Sequence, residues 1–397
     1  MLWVGWSISY AGDALQLLAQ TWLIALLTNS ALAVAGSPAL ATLPLLLLPL
    51  GGVVADAYDR RRLLLATQLA GALVAGMIAA LVAAHRIAVW EIYAWAVFAS
   101  GLRVVARPTY KALLTEIVPT GEARSAMALA SMTETGSIVM ITGIGGVLLS
   151  AAGLTTAFVV NTLSYVVGAW TLWRLRAGDL PVVSPSVQLS LRTAAADLRD
   201  GFRYLRGSRA LLHPLVLTFM FVLATSPLFT LLAAVVHAQG KSLVDLGLLA
   251  ASTSLGTFGG AAYAGLRQRS GDAALRYARQ GVIGAVALAV FAVAPIGWAS
   301  LAPLALLGAI FGMQTVWNAS RVAEVGAEAF QGRLQAITTM VLALGSGIAA
   351  LWAGPVLDAF GERGLVGAAV SLALVSVAAT VAIVRRHRQL ELSRVSP

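Results

Sequence analysis

Cysteine is absent from the 397 residues, and the four histidines stand far apart at positions 85, 213, 237 and 387. Disulfides, thiolate metal sites and cysteine nucleophiles are thereby excluded, and the histidine spacing offers no metal site. Charge is scarce too: charged residues make up 11% of the chain, against roughly 25% in a soluble domain. Lysine occurs only at 111 and 241, so 25 of the 27 basic residues are arginine. No G-x-x-x-x-G-K loop is present to hold a nucleotide. Nor do acids, histidines or a serine with a base converge as an enzyme would require. What remains is apolar, with 59% hydrophobic residues and a mean hydropathy of +0.85. That describes a polytopic membrane protein solvated by lipid, with no cofactor and no nucleic-acid partner, rather than a soluble enzyme.

A helix crossing the bilayer needs about 20 residues. Charge-free stretches of about forty residues, such as 14–55, 135–173 and 280–320, must each hold two, divided at Thr28-Asn29-Ser30, Ser150–Gly153 and Pro295–Ser300. The resulting expectation is an all-α protein with twelve transmembrane helices near 3–27, 32–57, 62–84, 88–114, 123–150, 154–176, 211–237, 243–267, 274–296, 300–326, 332–357 and 362–386. No basic region precedes the first stretch, and Asp13, Gln16 and Gln20 interrupt it, so it is a retained helix rather than a signal peptide. Only Met1 and Leu2 precede it, and a few residues of leader are expected to be missing.

The arginines set the orientation. Of the 27 bases, 21 fall in the connections after helices 2, 4, 6, 8 and 10 or in the tail, and three, Arg86, Lys241 and Arg363, on the opposite side. Basic loops stay in the cytosol, which predicts cytosolic termini in a plasma membrane of bacterial inner-membrane type. Residues 1–176 form a six-helix half, 177–210 a cytosolic linker, and 211–397 a second six-helix half with a short tail. Within the linker, Leu191, Ala195, Leu198, Phe202 and Leu205 recur at helical spacing with arginines between them, predicting an amphipathic helix at the headgroup layer. Arg124, Gly136 and Gly145 match Arg333, Gly345 and Gly354 at one offset of 209 residues (333−124, 345−136, 354−145), pointing to two repeats. These glycines, with Gly146, are expected to allow close helix packing.

The loop after helix 2 reads Gly52-Val53-Val54-Ala55-Asp56-Ala57-Tyr58-Asp59-Arg60-Arg61-Arg62. It resembles the G-x-L-A-D-R-x-G-R-R/K signature of the major facilitator superfamily (MFS), with Gly52, Ala55, Asp56, Arg60 and Arg61 in place and Ala57 and Asp59 departing from it. Arg107-Pro108-Thr109-Tyr110-Lys111-Ala112-Leu113-Leu114, then Val118-Pro119, is similar to the end of helix 4 in the branch of macrolide-efflux proteins and the enterobactin exporter. Gly12-Asp13 and Asp200–Leu205 resemble the same branch. The resemblance implies alternating access and export of a drug- or siderophore-like compound by proton antiport, from a monomer. The antiporter element of helix 5 is only partly kept: Gly143-Ile144-Gly145-Gly146 retains the glycine pair and lacks the Gly-Pro.

Ionisable residues at bilayer depth cost at least about 2.5 kcal/mol and so mark function. At a 1.5 Å rise, Asp13 and Glu134 lie roughly 15 Å into helices 1 and 5, and Arg103 lies at a similar depth in helix 4. Asp13 or Glu134 is expected to carry the coupling proton, with Arg103 as its partner. Gln314, Asn318 and Ser226 are candidates to line the cavity; Trp317 and Phe229 are more readily explained as packing. Gly52, Asp56, Arg60 and Arg61 are expected to form a conformational latch, Asp56 accepting from a neighbouring helix N-terminus. An importer or proton symporter of the same fold, and a non-transporting sensor or lipid-handling protein, are the alternative readings.

Overall fold

The computed structural model describes residues 2–119, 121–175, 191–266, 273–327 and 330–395. A number of side chains within these ranges, including those of Arg124 and Glu134, are outside the description. Every regular element among the described residues is a helix. In chain order they are α1 (Leu2–Thr28), α2 (Ala31–Ala41), a 3-10 turn (Pro44–Leu47), α3 (Leu48–Ala57), α4 (Arg60–Ala83), α5 (Val89–Ile117), α6 (Ala123–Ala152) and α7 (Leu154–Arg174). Then follow α8 (Leu191–Gly207), α9 (Arg209–Thr230), α10 (Leu232–Ala238), α11 (Leu243–Leu266), α12 (Ala273–Val293), α13 (Trp298–Val325) and α14 (Gln331–Val395).

These supply the twelve expected crossings once the broken ones are joined. The second is α2 and α3, bent by 56° where Pro44 and Pro49 remove backbone donors. The seventh is α9 and α10, interrupted at Leu231 just beyond Pro227. The last two are the arms of α14, which turn at Gly361 (φ 66°, ψ −169°), a conformation a side chain would strain. Among the described residues six helices are long and apolar enough to cross by themselves, or eight if each of two bent pairs is one span. One of those pairs is the α6–α7 hairpin at Gly153, and both its arms exceed twenty residues. Helix α1 falls outside that count because Asp13, Gln16 and Gln20 lower its hydropathy, and α11 because of its Gly, Ser and Thr.

Packing within each half relies on backbone proximity. In the first, α1 lies on α7, where a Cβ at Gly5 would sit 2.1 Å from Thr171 Oγ1 and one at Gly12 2.3 Å from Ser164 Oγ. In the second, α11 and α13 cross through two glycine pairs. A Cβ at Gly256 or Gly260 would fall 1.9 or 2.0 Å from the carbonyl oxygens of Ala305 or Ala309. One at Gly308 or Gly312 would fall 2.1 Å from those of Thr253 or Thr257. Both helices carry glycine at i and i+4, the small-residue spacing that lets backbones touch.

The halves meet through two matching pairs, α6 with α11 and α2 with α14. Gly146 abuts Leu243 and Gly247, and Gly354 abuts Leu32 and Ala35. The glycines matched at the 209-residue offset do not make matching contacts. Gly145 faces Leu15 and Leu18 of α1, while Gly345 faces Phe219 and Val222 of α9. For Gly136, no described neighbour comes within 4 Å of an added Cβ.

One expectation is corrected. The part of the apolar face of α8 whose side chains are described is covered by protein rather than by headgroups. Leu198, Phe202 and Leu205 pack with Leu211, Leu215, Val322, Leu334 and Ile337, and Gly201 abuts Ile337 and Arg333. The amphipathic pattern reports a face that α9, α13 and α14 bury.

Candidate substrate cavity and coupling site

Asp13 stands midway along α1, on the face that α5 and α7 cover. Its Oδ1 accepts from Tyr165 Oη at 2.7 Å and from Asn161 Nδ2 at 3.2 Å, both on α7. Its Oδ2 lies 4.0 Å from Arg103 Nη1 of α5. A part-buried carboxylate, 21% exposed here, is helped by such donors and a countercharge to offset lost solvation. The chain brings them together because α1 touches α7 through Gly12, which leaves no side chain between Asp13 and the polar edge of α7. Asn161 and Tyr165 are four residues apart and so face the same way.

The network continues from there. Asn161 Nδ2 also donates to Gln16 Oε1 at 2.5 Å, and Ser164 Oγ donates to Asn161 Oδ1 at 3.0 Å. Gln20 Nε2 donates to Ser37 Oγ of α2 at 2.5 Å. One turn beyond Arg103, Arg107 Nη2 donates to Tyr10 Oη at 3.3 Å. A cavity of about 230 Å³ opens on this wall, lined among others by Asp13, Gln16, Gln20, Trp95, Arg103 and Asn161. A smaller one of about 30 Å³ shares Tyr10, Asp13 and Arg103 and reaches Arg107. Sites that enclose a drug-sized ligand usually measure about 300–1,000 Å³. The larger cavity is therefore smaller, in this conformation, than a site that encloses a drug-sized ligand.

The structure brings Asp13 and Arg103 together; the Glu134 side chain lies outside the described residues. The second-half candidates sit elsewhere. Gln314 and Asn318 are 1% and 5% exposed and occupy a polar seam between α9, α12 and α13. There Gln314 Nε2 donates to Gln280 Oε1 at 3.2 Å, Asn318 Nδ2 to Thr218 Oγ1 at 2.8 Å, and Tyr277 Oη to Asn318 Oδ1 at 3.0 Å. Trp317 packs edge-on to Tyr277, under the Arg276 guanidinium. Ser226 is buried beside Pro227, its carbonyl accepting from Thr230 Oγ1 at 3.0 Å. Sequence reasoning passed over Gln16, Asn161 and Tyr165. The available signal was Asn161 and Tyr165 at i and i+4 in the apolar run of α7, with Gln16 one turn from Asp13 on α1.

In the loop signature, Asp56 pairs with Arg60 at 2.9 Å instead of with a neighbouring helix N-terminus. Arg60 also bonds Glu116. Arg61 donates to the carbonyls of Leu172 and Trp173 at 2.9 and 2.8 Å, capping the end of α7. All these contacts lie within the first half, and at Gly52 a Cβ would meet open space.

At the opposite face the halves are clamped. Asp358, near the end of the first arm of α14, accepts from Ser30 Oγ at 2.9 Å, Ala31 N at 2.7 Å and Leu32 N at 3.0 Å, holding the N-terminus of α2. Nearby, His237 of α10 hydrogen-bonds Asn29 Oδ1 at 2.8 Å and meets Trp22 edge-on.

The described helices thus form a bundle with the Asp13–Arg103 pair in the wall of a cavity. The chain belongs to the MFS family described as transmembrane secretion effector, whose model matches residues 1–395. It is a multi-pass membrane transporter. No curated protein sequence matches it. Similar solved structures include the nucleoside transporter NupG, with a TM-score of 0.71 at 14% identity over 96% of this chain and 99% of that one. A bacterial homolog of the human lysosomal transporter Spinster, inward-facing and unoccupied, has a TM-score of 0.71 at 15% identity over 96% and 93%. The D-xylose–proton symporter has 0.69 at 12% identity over 95% and 96%. At such identities the likeness is one of fold.

Proposed function

We propose that this transporter exports a small amphiphilic, drug- or siderophore-like compound by alternating access and proton antiport. On this reading it works as a monomer in a membrane of bacterial inner-membrane type. The arginine-rich loops and both termini are cytosolic, and residues 1–176 and 211–397 are the moving halves. Residues 177–210 join them, with α8 travelling on the second half. The observation that carries the proposal is Asp13, a carboxylate held by Arg103, Tyr165 and Asn161 in the wall of a cavity. Protonation would remove the charge that Arg103 balances, and so alter the site on each cycle. The clamp at Asp358 closes the face away from the arginine-rich loops, which supports an inward-facing conformation.

The test is flux of a fluorescent amphiphile in inverted membrane vesicles under an imposed pH gradient. Uptake into vesicles that are acid inside, abolished in Asp13→Asn, is expected. Uptake unchanged by that substitution and by collapse of the gradient refutes the coupling. A second reading, a proton symporter or importer, draws on the fold shared with the D-xylose–proton symporter. Flux in the same direction as the protons would establish it.

A further inference from the structure

The amide groups beside Asp13 are oriented by their partners, and the orientation has a free end. A side-chain amide presents a donor on one side and an acceptor on the other, and its hydrogen-bond network decides which faces where. An ionised Asp13 only accepts, so Asn161 must turn its NH2 group toward it. The second hydrogen of that NH2 goes to Gln16, which must therefore present its oxygen to Asn161. Gln16 Nε2 is left buried and without a partner among the described residues, on a 1% exposed residue that is among those lining the larger cavity.

We propose that Asp13, Asn161 and Gln16 form a proton-reversible amide relay that sets whether the cavity offers its ligand a donor or an acceptor. With Asp13 ionised, Gln16 offers an N–H, and the cavity takes a head group that presents an acceptor oxygen, such as a carbonyl or ether. When Asp13 takes up a proton, its O–H donates to Asn161 Oδ1 once that amide rotates by half a turn. Gln16 then turns its NH2 toward Asn161 and its oxygen toward the cavity, where it repels the same head group. Ser164 Oγ tolerates both states: it already donates to the Asn161 backbone carbonyl at 2.7 Å and can accept from a rotated Nδ2. No covalent bond changes except that of the one proton on Asp13.

The relay deepens the proposed function and rests on its reading of the cavity as the substrate site. It supplies what antiport requires, a site where proton and ligand exclude one another. The charged and titratable groups around Asp13 among the described residues are Arg103 and Arg107 on α5, Tyr165 on α7 and Tyr10 on α1 itself. From α4 the neighbouring groups are the uncharged Thr67 and Gln68. Asp13 is thus the sole described acid of the wall.

The experiment is equilibrium dialysis of two probes against the full-length protein in nanodiscs. N,N-dimethyl-2-naphthamide only accepts hydrogen bonds, and carbazole, a ring N–H with no lone pair to accept with, only donates them; both are neutral, and neither titrates between about pH 5 and 8. The acceptor probe is expected to bind about tenfold more weakly when Asp13 is protonated, and the donor probe more tightly, the size of effect that follows from one mismatched polar contact. Asn161→Leu should bind both probes with no pH dependence. Gln16→Met, which leaves the Asp13–Asn161 contact intact, should do the same and covers the case in which the first variant does not fold. Equal binding of the acceptor probe at both pH values, tighter binding at low pH, or pH dependence that persists in Gln16→Met overturns the relay. If these results occur while gradient-driven flux is still lost in Asp13→Asn, the proposed function survives without the relay. If neither probe binds at all, the relay falls together with the cavity's assignment as a substrate site.

Discussion

Replacing Asp358 tests whether the contact between α14 and α2 decides which conformation is populated. The side chain is exposed yet accepts three hydrogen bonds from the first turn of α2 and its cap. A charge at a helix N-terminus contributes about 0.3–1 kcal/mol. Hydrogen bonds to an exposed carboxylate add about 0.5 kcal/mol each at the low end of their range. The clamp is therefore worth about 1.8–2.5 kcal/mol, and Asp358→Ala should shift the ratio of the two states about 20- to 70-fold. Asp358→Asn keeps one acceptor and loses the charge, so its shift should be smaller. The chain contains no cysteine, so cysteines placed at Leu27 and Phe360, 46% and 74% exposed on the two halves, would be the only labelling sites. Spin-label distances across that face in nanodiscs should gain a longer component in Asp358→Ala. A distance distribution identical to that of the parent pair would refute the assigned role.

Three further outcomes follow from the geometry. Tyr165→Phe removes the 2.7 Å donor to Asp13. It should cost about 1–3 kcal/mol of interaction with the ionised state, read as a shift in the pH profile of flux with expression unchanged. Gly260→Leu places a side chain against the carbonyl of Ala309 and should destabilise the second half by more than about 1–3 kcal/mol, seen as a lower melting temperature in detergent; Gly259→Leu, where an added Cβ meets nothing, is the control. Arg61→Ala uncaps α7 and should lower thermal stability by about 1 kcal/mol, while Arg62→Ala, whose backbone N–H alone is engaged by Asp59, should change it little.

The sequence foretold the fold well because lipid imposes length and charge rules that single residues obey. Stretches without charge marked the crossings, and the proline and asparagine breaks divided them. The depth argument also found Asp13 and Arg103, since an ion in hydrocarbon needs a partner wherever it sits. Asn161, Tyr165 and Gln16 were harder to see. An uncharged polar residue in an apolar helix gives no sign of which neighbour it faces until Gly12 fixes how α1 and α7 meet. Gln314 and Asn318 were read as cavity-lining, yet Thr218, Tyr277 and Gln280 engage them inside the second half, and those partners lie up to a hundred residues away. The apolar face of α8 could equally have met lipid or protein, and periodicity alone does not choose. Gly256, Gly260, Gly308 and Gly312 stand at i and i+4, but nothing in that spacing says that α11 and α13 cross there.

That crossing governs how force passes through the second half. Where α11 and α13 touch, backbone meets backbone, and there is no rotamer to change and no side-chain layer to shear. The pair is joined backbone to backbone at four glycines, as a two-rod beam. Such a pair is expected to move as one, so that a push on α11, including one from α6 at Gly146, carries to α13. Compliance has to lie elsewhere in the second half, and the interruption of α9 at Leu231, beyond Pro227, is where its helices can flex.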